Sequence, residues 1–239
     1  MIESMLAALP IATSALLSRR ELQHRTDSKF LLDRSMLDTL ITELGDHYAA
    51  LRAGEHAIAT YNNLYFDTPD LRCFHDHRRG RRLRRKVRIR HYPDRQLSFL
   101  EVKTKRGDVT DKRRRAIEYR RETLDDVDLQ FLAEHAAGLE LTPSLRIDYR
   151  RITLVHLREE ERLTIDLGLV AARSDAQVAF ESAVVVELKR PPHSRVATPA
   201  FDALSKLRER ALSKYCWAMC RLQPQLRHNR LLPTLRGLP

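Results

Sequence analysis

The sequence predicts a single α+β domain built on an antiparallel sheet able to close into a barrel, and three observations carry that expectation. Period-2 alternation of apolar and polar residues dominates the chain and recurs in eight segments. Helical patterns are short, and no repeat, linker or low-complexity stretch separates them from the strands. The 239 residues suffice for one large domain with its own core, and 43% hydrophobic with 31% charged residues is a soluble globular balance.

The elements follow in order. Residues 1–20 read as an N-terminal helical extension. The stretch 1–17 is apolar, but it carries Glu3 where a secretory signal needs a basic residue, and Pro10 interrupts it. Strands are expected over 21–32, 58–67, 81–91, 97–105, 112–119, 145–157, 162–167 and 178–189, and helices over 35–44, 69–77, 124–137, 199–210 and 214–222. Thr68-Pro69 and Thr198-Pro199 each place a capping hydroxyl before a proline, which suits a first helical turn. The domain proper spans 21–222, and 223–239 reads as a loosely ordered tail.

A formal net charge of +11 points to a polyanionic partner: nucleic acid, anionic lipid or a phosphorylated small molecule. No glycine sits in a Walker-type loop or a G-x-G-x-x-G turn, which excludes a P-loop site. Three cysteines without a C-x-x-C pair fit a reducing cytoplasm better than a disulfide framework. Cys216 and Cys220, one helical turn apart, read as core residues before half a metal site. Cys73, His75, Asp76 and His77 lack standard zinc spacing and read as helix surface. No stretch approaches the roughly 20 apolar residues of a membrane span.

The informative pattern is which face carries charge. In 79–90, RGRRLRRKVRIR, parity puts Arg82, Arg84, Lys86, Arg88 and Arg90 on one face and Leu83, Val87 and Ile89 on the other. One such strand would be an ordinary solvated strand. The pattern recurs, however. Glu101, Lys103 and Lys105 share a face, as do Glu187 and Lys189, Arg162, Thr164 and Asp166, and Arg25, Asp27 and Lys29. Acids among cations suit a polar lumen in which cations grip phosphate oxygens and carboxylates place a divalent metal. A nucleic-acid groove would want cations with aromatics, and acids would repel the backbone, so no specific nucleic acid is expected.

YNNLYFDTPDL (61–71), KVRIR (86–90), FLEVKTK (99–105), VVVELKR (184–190) and LSKY (212–215) occur in this order. Together they resemble the catalytic domain of the vacuolar transporter chaperone (VTC) polyphosphate polymerases, within the triphosphate tunnel metalloenzymes, or CYTH-like superfamily. The resemblance runs from about residue 21 to 222. It implies an eight-stranded antiparallel tunnel, open at both ends, with helices outside. It implies a reaction that moves the γ-phosphoryl of ATP onto inorganic polyphosphate. Carried over by position, Lys29, Arg88, Arg90, Lys103, Arg151 after Tyr149, Ser213 and Lys214 hold phosphates. Glu187 binds Mn²⁺ or Mg²⁺, helped by Glu101 or Asp166. The parity reading adds Arg25, Lys86, Lys105, Arg162 and Lys189 as substrate-binding cations, and the resemblance adds Lys112 from the basic run 112–115. Two positions depart from the pattern: Asp27 stands for a glutamate, and Ala211 for a lysine. Hydrolysis or cyclisation in the same tunnel, or a polyphosphate sensor without turnover, are the alternatives. A separate membrane partner would stand in for the membrane domains of the eukaryotic enzymes.

Overall fold

The computed structural model describes residues 2–19 and 25–231. The first four residues of the strand expected over 21–32, and the tail beyond 231, lie outside the described residues. Two short helices, α1 (Ile2–Ala8) and α2 (Ser14–Arg19), precede β1 (Thr26–Asp33). Asp33 ends that strand by accepting the Ser35 N–H at 2.9 Å, and a 3-10 turn leads into α3 (Leu37–Leu44). Leu37, Leu40, Ile41 and Leu44 recur at helical spacing there, and all are buried. Then come β2 (Tyr48–Ala50), β3 (Ile58–Asp67), α4 (Arg72–Arg78), β4 (Leu83–Tyr92), β5 (Leu97–Arg106) and β6 (Val109–Ile117). A reciprocal capping box between Asp125 and Asp128 starts α5 (Asp126–His135). The chain continues through β7 (Thr142–His156), β8 (Arg162–Arg173), β9 (Ala176–Ala179), β10 (Ala183–Arg190), α6 (Pro199–Ser205) and α7 (Lys214–Leu222).

All eight expected strands are present, with corrections at their ends. The segment expected over 178–189 is two strands, β9 and β10, because the chain turns after Phe180, whose N–H still reaches Leu169 C=O of β8 at 2.8 Å and whose ring packs on Trp217 at 4.2 Å between centroids. Thr198 caps α6 as expected, accepting from Phe201 N–H at 3.2 Å, but the helix stops at Ser205 instead of 210. α4 begins three residues after Pro69. Leu71 adopts a left-handed φ of 58°, so Pro69 and Asp70 form a turn and not a first helical turn.

The long strands form one antiparallel path in the order β1-β10-β8-β7-β3-β4-β5-β6, with β2 beside β7 and β9 beside β8. No ladder joins β1 to β6 among the described residues. The sheet nonetheless curls around an interior, since Lys86 on β4 bonds Ser213 at 2.8 Å while the next residue, Lys214, bonds Asp166 on β8 at 2.5 Å. Alternation then sorts the residues. Phe30, Leu32, Val184, Val186, Leu163 and Ile165 face outward into a core with α1, α3 and α6. Val87, Ile89, Leu100 and Val102 face outward beside Leu132 of α5. The charged rows are left on the concave side.

A bulge modifies this on β8. Pairing with β7 shifts between Asp148 and Arg150, and Gly168 takes a φ of +56° that favours glycine. Leu163, Ile165 and Leu167 precede the bulge and point outward. After it, Leu169 and Ala171 join an interior cluster around Trp217, Tyr215 and Met219 of α7. That helix therefore fills one end of the barrel, so the interior is not a passage with two equally open ends. No described helix is long and apolar enough to cross a membrane.

Candidate functional site

The concave face is built row by row from strand register. Tyr65 on β3 lies opposite Arg88 on β4, which lies opposite Glu101 on β5 and Arg114 on β6. Lys86, Lys103 and Lys112 form the adjacent row, and Arg84 with Lys105 the next. On the far wall, Lys29 of β1 meets Glu187 of β10, which meets Thr164 of β8. Asp27, Lys189 and Arg162 make the neighbouring row.

Two carboxylates organise the cations. Glu101, 2% exposed, takes Arg88 at 2.6 Å and Lys112 at 2.5 Å. Burial alone would raise its carboxyl, but Arg88, Arg90 and Lys112 hold it well below the usual carboxylate range. Asp166, equally buried, takes both arms of Arg151, at 2.5 and 2.8 Å, and Lys214 at 2.5 Å. Burial again opposes ionisation, and Arg151 and Lys214 again overcome it. Such bidentate geometry fixes the plane of a guanidinium.

Aromatic rings complete the positioning. Arg90 donates to Asn63 Oδ1 at 2.7 Å and to the Tyr149 hydroxyl at 2.9 Å. It also lies over the Tyr61 ring at 5.0 Å. Arg151 lies over Tyr61 and Tyr149 at 5.0 and 5.3 Å, and those two rings stack at 5.3 Å. Arg88 donates to Tyr65 at 3.0 Å. Ser213 caps α7 and accepts from the Lys86 ammonium at 2.8 Å. The S-K pair thus brings the helix N-terminus, its cap and Lys214 into the lumen, where the helix dipole favours an anion.

The lysines are short of negative charge. Burial, with Lys103 and Lys29 nearby, pushes Lys86 down to about 8. Burial pushes Lys112 down to about 8 in spite of Glu101. Lys29 is lowered by burial and by Lys214, and Lys103 by burial and by Lys29. Lys103 and Lys112 are nonetheless open to solvent, as suits a wet cavity with cationic walls. An anion entering here finds cations already held in place and under-compensated. Glu187 differs from the other two acids. Its near cation is Lys189 on its own strand, which also lies 3.6 Å from Asp27.

The VTC domain family pattern matches residues 24–223. The chain belongs to the VTC domain family.

In this VTC domain the structure brings Arg88, Arg90, Lys103, Arg151, Lys29, Lys86, Lys112, Tyr149, Ser213, Lys214, Glu101, Asp166 and Glu187 to one concave face. Lys105, Arg162 and Lys189 occupy its margins by register. Arg25 precedes β1 and donates to Asp27 at 2.9 Å. Sequence reasoning missed Tyr61, Asn63 and Tyr65, although parity along YNNLYFD places them together. It also missed Arg114, one of the basic run 113–115. Arg115 is outer, bound to Asp128 of α5 at 2.6 Å, but Arg114 lies over Phe99 at 5.0 Å on the inner face. Cys73, Cys216 and Cys220 are buried and free. No group of three or more His, Cys, Asp and Glu among the described residues could hold a metal.

No curated protein matches the chain. Solved structures resemble it distantly. A candidate adenylyl cyclase from Hippeastrum, whose dominant activity is described as a triphosphatase, shares 11% identity and a TM-score of 0.47, over 85% of this chain and 100% of that one. A candidate adenylate cyclase from Bacillus halodurans shares 12% identity at a TM-score of 0.47, over 77% of this chain and 87% of that one. The PH1819 protein from Pyrococcus horikoshii shares 14% at 0.41, over 77% and 87%. At that distance the likeness bears on neither activity nor substrate.

Proposed function

We propose that this VTC domain transfers the γ-phosphoryl group of ATP to the end of an inorganic polyphosphate chain, with a divalent metal, Mn²⁺ or Mg²⁺, on Glu187. The observation that carries the reading is the convergence of Arg88, Arg90, Arg151, Lys103 and Lys214 on one concave face, with acids that fix Arg88, Arg151 and Lys214 and are too few to neutralise the set. Phosphoryl transfer needs positioning and charge neutralisation more than covalent help. Arg88, Arg90 and Arg151 hold phosphate oxygens in fixed planes, while Lys29 and Lys103 supply mobile charge beside Lys86 and Lys214, which Ser213 and Asp166 hold. The bond from the γ-phosphorus to the β–γ bridging oxygen breaks as a bond to the chain's terminal oxygen forms, and ADP leaves. The attacking oxygen is already ionised, so no residue acts as general base.

The donor set fits a hard divalent cation that takes one protein carboxylate and completes its shell with phosphate oxygens and water. Glu187 suits that part. Glu101 and Asp166 each already bind two cations, so on this reading they act at one remove, by holding Arg88, Lys112, Arg151 and Lys214. When bound, the metal would neutralise charge on the transferred group.

Incubating the protein with ATP and Mn²⁺ or Mg²⁺ and separating the products on a gel tests the reading. Long chains are expected; orthophosphate alone would make the tunnel a hydrolase, and tight binding without turnover a sensor. Glu187→Gln is expected to abolish metal-dependent turnover while leaving tripolyphosphate binding in place. A Glu187→Gln protein as active as the parent removes Glu187 from the reaction.

A further inference from the structure

The two ends of the concave face differ in chemistry. Where β4 ends and β5 begins, the residues are aromatic: Tyr92 packs edge-on against Tyr61 at 5.1 Å and Phe99 at 5.9 Å. Where β4 begins and β5 ends, α7 fills the side formed by β7 and β8. The polar rows leave on the other side, through Lys86 and Lys103, then Arg84 and Lys105. Beyond them lies the turn from α4 into β4, with the sequence HRRGRRLRR over 77–85. No Asp or Glu occurs between Asp76 and Asp94.

This turn is ordered and attached to the barrel. Gly80 takes a φ of +66°, Arg81 N–H donates to Asp76 C=O at 2.9 Å, and Gly107 N–H in the β5–β6 hairpin donates to Arg82 C=O at 2.8 Å. The Arg84 guanidinium donates to Arg81 C=O at 2.9 Å. The side chains of Arg81 and Arg82 are exposed. Burial, and then Lys86, Arg84, Lys29 and Lys105, push His77 at the end of α4 down to about 2, so turn and lumen share one positive field. A solvated face interleaves acids with its cations, because like charges at close range repel. Here residues 77–93 hold no acid, and the turn of the attached hairpin sets only Asp108, beside Gly107, against them, so cations outnumber acids at the mouth of an anion site. The turn offers no aromatic platform for bases, and it is not a helix that could enter a groove.

We infer that the arginine-rich turn, with Arg81, Arg82 and Arg84 continued by Lys105, is a docking track for long linear polyphosphate, which crosses it on the way between solvent and the tunnel. The inference rests on the proposed function and adds to it a direction. The chain occupies the arginine mouth, and the nucleoside end of the donor is left to the aromatic one.

The test compares two ligands, inorganic tripolyphosphate and linear polyphosphate of several tens of phosphates, on the parent and on an Arg81→Gln/Arg82→Gln double variant. Neither side chain belongs to the lumen rows: β4 begins only at Leu83, so Arg82, grouped with Arg84 by sequence parity, stands in the exposed turn before it. The variant is expected to bind tripolyphosphate as the parent does and to bind the long chain about 5- to 20-fold more weakly. Its log K against log salt slope for the long chain should fall by about one for each phosphate that the missing guanidinium groups no longer hold. Equal binding of the long chain by both proteins overturns the track. So does single-stranded DNA of matched charge competing as well as polyphosphate, which would make the turn an unselective cation patch. A parent that binds neither ligand refutes the tunnel reading itself.

Discussion

Asp67, in the middle of LYFDTPDL, shows how a family signature can be structural. Its carboxylate is 1% exposed. It accepts the N–H groups of Thr68 and Cys73 at 2.8 Å each, Phe74 at 3.0 Å, and the Tyr215 hydroxyl at 2.6 Å. One acid thus starts α4 and ties α7 to β3. Hydrogen bonds to a buried charge are worth roughly 1.5–3 kcal/mol each, with partial redundancy. Asp67→Ala is therefore expected to destabilise the fold by about 3–5 kcal/mol in urea denaturation, whereas Tyr215→Phe, which deletes one donor, costs about 1–2 kcal/mol. Lys86 gives a second expectation at this scale. Its free-protein value of about 8 lies below that of an unfolded lysine. The folded apoprotein therefore carries a penalty that is full below pH 8 and relieved as pH rises toward the unfolded value, so apo stability rises over that window. A bound phosphate raises Lys86 again. Tripolyphosphate binding should accordingly take up a proton near pH 8 and weaken from pH 7 to pH 9. Calorimetry in buffers of different ionisation enthalpy reads this directly, and a proton count of zero would disprove it.

Among the elements, α7 carries most of what the sequence did not disclose. Its apolar residues Trp217, Met219 and Tyr215 signal packing, but not the side of the sheet on which they pack. The side is decided by the bulge at Gly168, which turns Leu169 and Ala171 inward to receive the helix. A lone glycine after RLTIDL does not announce a change of parity. The lumen strands were legible for the opposite reason: KVRIR and LEVKTK alternate throughout and VVVELKR does so from Val186 to Lys189, so one face had to be polar whatever its neighbours. Tyr61 and Asn63 went unread because their roles need a partner strand, namely Arg90 and Tyr149 across the sheet. Trp217 is 1% exposed and packs on Phe180. Trp217→Ala should cost about 3–5 kcal/mol by cavity formation. It should also weaken tripolyphosphate binding about tenfold in the folded fraction, because Ser213 and Lys214 are held in place by that helix. Unchanged affinity would mean that the S-K pair is positioned by the preceding loop.

At the scale of the whole molecule, the fold assembles like charges that it cannot neutralise. A net charge of +11 is concentrated where Lys29, Lys86, Lys103 and Lys112 are each pushed below their ordinary values. The outer cores, with α1, α3 and α6 on one side and α5 on another, supply the burial that makes such a lumen tolerable. A polyanion in the barrel should therefore stabilise the entire fold. At a tripolyphosphate concentration near one hundred times Kd, linkage gives about 2.7 kcal/mol, which for a domain of this size is a rise in Tm of roughly 5–11 °C. Sodium chloride at matched ionic strength should reproduce only a small part of it, since screening acts on exposed charges more than on enclosed ones. An Arg88→Ala/Arg151→Ala protein that is folded before ligand is added should lose most of the shift. If salt alone matched tripolyphosphate degree for degree, the lumen would be a diffuse basic surface, with no cations held in register for a triphosphate.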